Sequence, residues 1–318
     1  MIATAEPPVR TRPAPAPVAA RPAAVPTRFA DYLELTKPRI ATMALVTVAV
    51  GYLLGAGAAN FRLDVMLHTL VGAGLVAAGG SALNHWWERR ADARMKRTVN
   101  RPLPAGRLSG GEVFVYGVSL AVAGLVYLAV TGPNLAAAVA AGLTFVLYVF
   151  VYTPLKQLTA WNTVVGAVPG ALPPIIGWCA ARGDLTADAA GLFLILFVWQ
   201  LPHFYSIAWL YRADYARGGM KMLPVVERPD GLWTGRAAAF TAGLLTLVCT
   251  LPYFAGTAGW VYLAGAVPVS LWFLARCLRF AANRNDRTAK RVLRGSLLHL
   301  TAVMALFVLD GVVPRYLG

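Results

Sequence analysis

Nine apolar stretches, at 39–57, 66–86, 111–131, 134–152, 162–182, 189–211, 234–255, 258–279 and 293–313, dictate what this chain can become. Each approaches the ~20 residues that an α-helix needs to cross the hydrocarbon core of a bilayer. Apolar residues make up 58% of the chain and charged ones 14%, a balance that argues against a water-soluble globule of this length. The alternation of a β-barrel is absent. Glycine and proline interrupt several stretches, which helices tolerate in lipid where neighbours satisfy the freed backbone groups. The fold class expected is therefore all-α: a polytopic membrane protein with nine transmembrane helices embedded in the lipid bilayer.

The formal net charge of +15 is not spread as on a nucleic-acid-binding domain, and no nucleic-acid partner is expected. Its basic residues sit in alternate connections: the N-terminal arm, Arg89 to Arg107, the group Arg212, Arg217, Lys221 and Arg228, and Arg284 to Arg294. The intervening connections hold almost none, Arg62 and Arg182 excepted. The positive-inside rule then places the N-terminus in the cytoplasm and the C-terminus outside. Residues 1–30 read as a disordered cytoplasmic arm rich in Pro, Ala and Arg, and 31–318 as one intramembrane domain. The arm has no signal-peptide hydrophobic region, and its prolines and lack of serine oppose a transit peptide. Cys179, Cys249 and Cys277 lie in or beside separate apolar stretches without paired spacing, so they read as packing residues.

One segment, NHWWERRADARMKRT at 84–98, carries the chemistry. On a helix, Asn84, Glu88 and Asp92 recur every four residues and fall on one slowly drifting stripe. An amide and two carboxylates are hard oxygen ligands of the kind Mg²⁺ takes alongside water and substrate phosphates. Arg94, Lys96, Arg97 and Arg101 follow, placed to take phosphate charge. The competing reading is a solvated cap in which the two acids pair with neighbouring arginines. It leaves unexplained why Asn84 precedes them on their face at the membrane boundary.

Other polar groups gather at the same side. YTPLK at 152–156 sets Tyr152 and Lys156 about Pro154, expected to end the helix, where both can donate to a phosphate or serve as interfacial anchors. Gln200 and His203 are polar positions in an otherwise apolar stretch, expected to face a cavity; for His203 a hydrogen bond to a neighbouring helix is the favoured reading over contact with a substrate or metal. Asp214 with Arg212 and Lys221 forms a second group of acid and base, and the two groups look like halves of one site. Trp86, Trp87, Phe204, Tyr205 and Trp209 are candidate cavity aromatics, able to stabilise a carbocation or to form an interfacial belt.

On ELTKPRI (34–40), the 84–109 segment, YTPLKQLTAWNTVVGAVPGALPPIIGW (152–178), WQLPHF and DYARGGMKMLPVV (199–226), the chain resembles the haem-type branch of the UbiA superfamily of intramembrane prenyltransferases. The resemblance covers nearly everything after residue 30. It implies a UbiA-type bundle in which Asn84, Glu88 and Asp92 bind Mg²⁺ and diphosphate, with Asp214 in the second acidic motif. Glu88 stands where the superfamily usually has Asp, and Gly218 where another acid is often found. Tyr152 and Lys156 match a diphosphate-contacting element, and His203 is the candidate for contact with a porphyrin. The implied reaction joins the farnesyl group of farnesyl diphosphate to a vinyl group of haem B, with addition of water, in a bacterial inner membrane. Haem is then a substrate, and a haem A synthase or a terminal-oxidase assembly protein is the conceivable partner. Prenylation of an aromatic quinone precursor, a transporter with polar helix ends, and a non-catalytic assembly factor remain the alternatives.

Overall fold

The computed structural model describes residues 27–57 and 59–311. Among them it contains helices and no strand. In chain order they are α1 (Arg28–Leu35), α2 (Pro38–Ala56), α3 (Leu63–Asp92), α4 (Gly110–Thr131) and α5 (Ala136–Val146). A π-helical stretch, Leu147–Tyr152, leads into α6 (Thr153–Leu158), α7 (Asn162–Ala171), α8 (Pro173–Arg182) and α9 (Ala187–Leu210). Then come α10 (Arg212–Gly218), α11 (Leu223–Val226), α12 (Leu232–Val248), α13 (Leu251–Phe254), α14 (Trp260–Ala282) and α15 (Asp286–Gly311). Nine of the resulting rods among the described residues are long and apolar enough to span a membrane, as the apolar stretches require. Of the arm expected to be disordered, residues 1–26 lie outside the described residues, while Arg28 to Ala30 form the first turn of α1, capped by Thr27.

Backbones approach closely where small residues allow it, which is how helices associate without a hydrophobic drive in lipid. A Cβ on Gly51 of α2 would lie 1.9 Å from the Pro174 carbonyl oxygen, and one on Gly177 of α8 the same distance from that of Val48. Gly79 and Gly124 seat α3 against α4 in the same way, each with backbone within 3 Å of a hypothetical Cβ. The three cysteines are buried and unpaired, consistent with packing.

Three boundaries differ from the sequence reading. α3 runs on to Asp92, so Arg89 and Arg90 belong to its last turn rather than to the basic connection, and Glu88 and Asp92 are helical, as their spacing required, and buried. α15 begins at Asp286, which makes Arg287 to Arg294 its first turns. The helix through YTPLK does not end at Pro154. Proline has no N–H for the i→i−4 ladder, and the backbone widens just upstream, where Thr153 N–H bonds the Tyr148 carbonyl five residues back. Just beyond the π stretch, Thr153 and Lys156 meet Asn84 and Glu88 of α3, while the Tyr152 ring packs against Gly166 of α7.

Candidate active site

The polar stripe of α3 faces the interior. Asn84, Glu88 and Asp92 are 1%, 5% and 1% exposed, so the carboxylates must be compensated within the protein. Lys156 Nζ lies 2.8 Å from Glu88 Oε1, an ion-pair contact without hydrogen-bond alignment, and Arg101 Nη1 donates to Asp92 Oδ2 at 2.7 Å. Asn84 Nδ2 donates to Thr153 Oγ1 at 3.1 Å, joining α3 to the first residue of α6. Lys156 also sits 4.6 Å from the centre of the Tyr152 ring, which occupies space left free by Gly166.

The sequence reading missed Lys37. It is the one non-glycine residue with positive φ among the described residues (φ 48°), a left-handed conformation that costs about 1–2 kcal/mol. That turn drops its side chain into the site, where Nζ donates to Asn84 Oδ1 at 2.8 Å. Burial first, then the charges of Arg101 and Lys156, pull Lys37 down to about 7 against the opposing pull of Glu88 and Asp92. Helix α1 holds this turn in place: buried Asp31 accepts from Arg107 Nε at 2.8 Å, and Arg28 pairs with Glu112. A lone lysine before proline at the start of an apolar stretch, in TKPRI, was the available signal.

The second polar group packs beside the first without merging with it. Asp214 Oδ1 accepts from Lys96 N–H at 2.9 Å and from Arg217. Its partial burial acts to raise its pKa, but the Arg217 and Lys96 hydrogen bonds outweigh this and hold it below the usual carboxylate range. Arg94 caps the Gly218 carbonyl at 3.1 Å, and Arg97 stacks over Tyr211 with its Cζ 4.3 Å from the ring centre. The Lys221 backbone is tied to Lys156 O and Asn162 Nδ2, while its side chain is exposed. Arg212 is turned away, bonded to Asp286 of α15 at 3.0 Å and to the Trp209 carbonyl. Gln200 and His203, expected to face a cavity, bond neighbouring helices: Gln200 reaches the Ala167 carbonyl at 3.3 Å, and His203 Nδ1 is 2.7 Å from Ser296 Oγ, the interhelical bond favoured for this histidine from the sequence.

A cavity of about 90 Å³ opens beside Lys156, lined by Tyr152, Thr163, Phe204, Ile207, Tyr215 and Met222. Of the five candidate aromatics only Phe204 lines it. Tyr205 and Trp209 are buried in packing, and Trp86 and Trp87 line a separate apolar groove of about 260 Å³ between α3, α4 and the α5 rod.

Among the described residues no three His, Cys, Asp or Glu side chains converge as a metal cage, so Asp214 does not join Glu88 and Asp92. Mg²⁺ does not need such a cage, since one or two carboxylates with water and substrate phosphates complete its shell. Asp92 Oδ1 is buried with no protein partner, and Glu88 Oε1 has no aligned donor. Two hard, anionic oxygens one helical turn apart on one stripe thus fit the ion. Lys37, Arg101 and Lys156 gather around this same stripe, at Asn84, Asp92 and Glu88 respectively, at the end of an apolar bundle.

Residues 44–302 match the UbiA prenyltransferase family. The chain belongs to that family. A Solibacter usitatus relative named Protoheme IX farnesyltransferase is 46% identical over 88% of this chain and 98% of its own length. A Salinibacter ruber relative of the same name is 47% identical over the same shares. Among solved structures, a digeranylgeranylglyceryl phosphate synthase superposes with a TM-score of 0.74 at 18% identity, over 90% of this chain and 99% of the other. A UbiA homolog from Archaeoglobus fulgidus, bound to GPP and Mg²⁺, does so with a TM-score of 0.63 at 16% identity, over 87% and 99%. These likenesses show that the chain has the UbiA fold and is a multi-pass membrane prenyltransferase.

Proposed function

We propose that this protein transfers the farnesyl group of farnesyl diphosphate to a vinyl group of haem B, with addition of water, to give haem O. The observation that carries this reading is the near full-length identity to relatives named Protoheme IX farnesyltransferase, joined to a buried site built for an anionic leaving group. Glu88 and Asp92 are the residues that would hold Mg²⁺, which when bound neutralises the departing pyrophosphate. Lys37, Arg101 and Lys156 surround those carboxylates and take the remaining phosphate charge. Phe204 and Tyr152 line the cavity, where aromatic rings would stabilise the developing allylic cation. The apolar bundle excludes bulk water from that cation. The basic face is assigned to the cytoplasm, supported by the alternation of basic connections, and the membrane is assigned to the bacterial inner membrane by analogy with the bacterial relatives.

The test is turnover by the reconstituted protein of farnesyl diphosphate and Mg²⁺ with either haem B or 4-hydroxybenzoate, with products identified by mass. Haem O from the first mixture alone is the expected result. Asp92→Asn and Glu88→Ala are expected to abolish product while still inserting; normal yield from both variants would sink the assignment.

A further inference from the structure

Two more polar side chains lie along the α3 stripe, Ser81 one turn further into the bilayer than Asn84 and His85 between Asn84 and Glu88. Ser81 lies seven residues before Glu88, and His85 seven before Asp92. Seven residues fall only ~20° short of two full turns, so each pair shares a line along the helix, about 10 Å apart. Ser81 is 6% exposed and His85 2%. Ser81 Oγ has no protein hydrogen-bond partner, and neither has either ring nitrogen of His85. His85 directly follows Asn84 and lies three residues before Glu88 on α3, so it sits level with the Lys37–Asn84 hydrogen bond. Half-buried His203 and buried His299 differ from it, each having a ring nitrogen engaged by a serine.

We propose that Ser81 and His85 hold the water molecule that adds to the substrate. The proposal rests on the farnesyl-to-haem reading above. In that reaction the C1–O bond of farnesyl diphosphate breaks and its electron pair leaves with pyrophosphate. The vinyl π electrons form the new carbon–carbon bond, leaving positive charge on the carbon attached to the porphyrin ring. A lone pair of water then forms the C–O bond, and the proton released passes to a pyrophosphate oxygen. The same cation can instead lose a proton to give an unhydrated alkene, so a bundle that excludes bulk water must keep one water in reach. A buried water needs two to four polar partners. A hydroxyl and an imidazole one turn apart supply them, on the face that leads from the leaving group into the apolar interior.

The test uses the reconstituted full-length protein with farnesyl diphosphate, Mg²⁺ and haem B in heavy-oxygen water, with products resolved by mass. The wild type is expected to give a hydroxylated product that carries the label. Ser81→Ala and His85→Phe are expected to shift product toward the species lighter by one water, the hydroxylated-to-alkene ratio falling about tenfold, the scale of one lost hydrogen bond to a reacting group. His85→Gln, which keeps a donor and an acceptor, is expected to recover part of the ratio, which a purely structural role would not predict. If His85→Phe fails to insert, Ser81→Ala decides, because it removes a single oxygen. An unchanged ratio in the inserted variants overturns the water-holding role alone. No farnesylated haem from the wild type overturns the parent reading, and this one with it.

Discussion

Replacing Lys156 by methionine tests the electrostatic logic of the site most directly. Lys156 and Glu88 form a pair with side-chain exposures of 14% and 6%, so the substitution strands a carboxylate in a low-dielectric interior. Breaking one partner of such a pair typically costs about 3–5 kcal/mol. A second route bounds the cost, because the stranded carboxyl can fold protonated. Holding an acid with an ordinary pKa of about 4.3 protonated at pH 7 costs about 2.7 units at about 1.36 kcal/mol each, or roughly 3.7 kcal/mol. Below pH 7 that bound shrinks, to about 1 kcal/mol at pH 5 by the same arithmetic. Equilibrium unfolding in mixed micelles, without divalent metal, measures both values. Arg62→Ala is the internal control, since the Arg62–Asp64 pair is 65% and 56% exposed and such pairs are worth at most about 1 kcal/mol. Adding Glu88→Gln to Lys156→Met removes the stranded charge and is expected to restore most of the loss. The reasoning is refuted if Lys156→Met costs no more than Arg62→Ala, or if its coupling to Glu88→Gln stays below about 0.5 kcal/mol.

Further outcomes follow from the same geometry. Lys37→Met is expected to raise KM for the prenyl diphosphate about tenfold or more, the value of one charge-assisted hydrogen bond, and to leave KM for the acceptor unchanged in steady-state assays. Gly51→Val drives a side chain into the Pro174 backbone and is expected to cost about 3 kcal/mol or more, seen as lost folded yield, whereas Gly111→Ala, with open space around it, is neutral. Arg212→Ala removes an exposed pair with Asp286 and the contacts to Trp209, and is expected to lose about 1–2 kcal/mol of stability with turnover retained; a collapse of turnover would return Arg212 to the site.

Much of this protein is written in local spacing. The length of an apolar stretch decides that a helix crosses a bilayer, and the four-residue interval of Asn84, Glu88 and Asp92 decides that they share a face. Both follow from one helix's geometry, so neither depends on a neighbour. Tertiary structure decided what meets that face. Lys37 reaches Asn84 from 47 positions away, through a left-handed turn that no periodicity announces. Lys156 meets Glu88 because the helix widens before Pro154, and Arg212, indistinguishable in sequence from Arg101, is drawn off by Asp286. Such pairings are set by where glycines let backbones touch and by which buried charge must find a counter-charge, and both are properties of helices packed together.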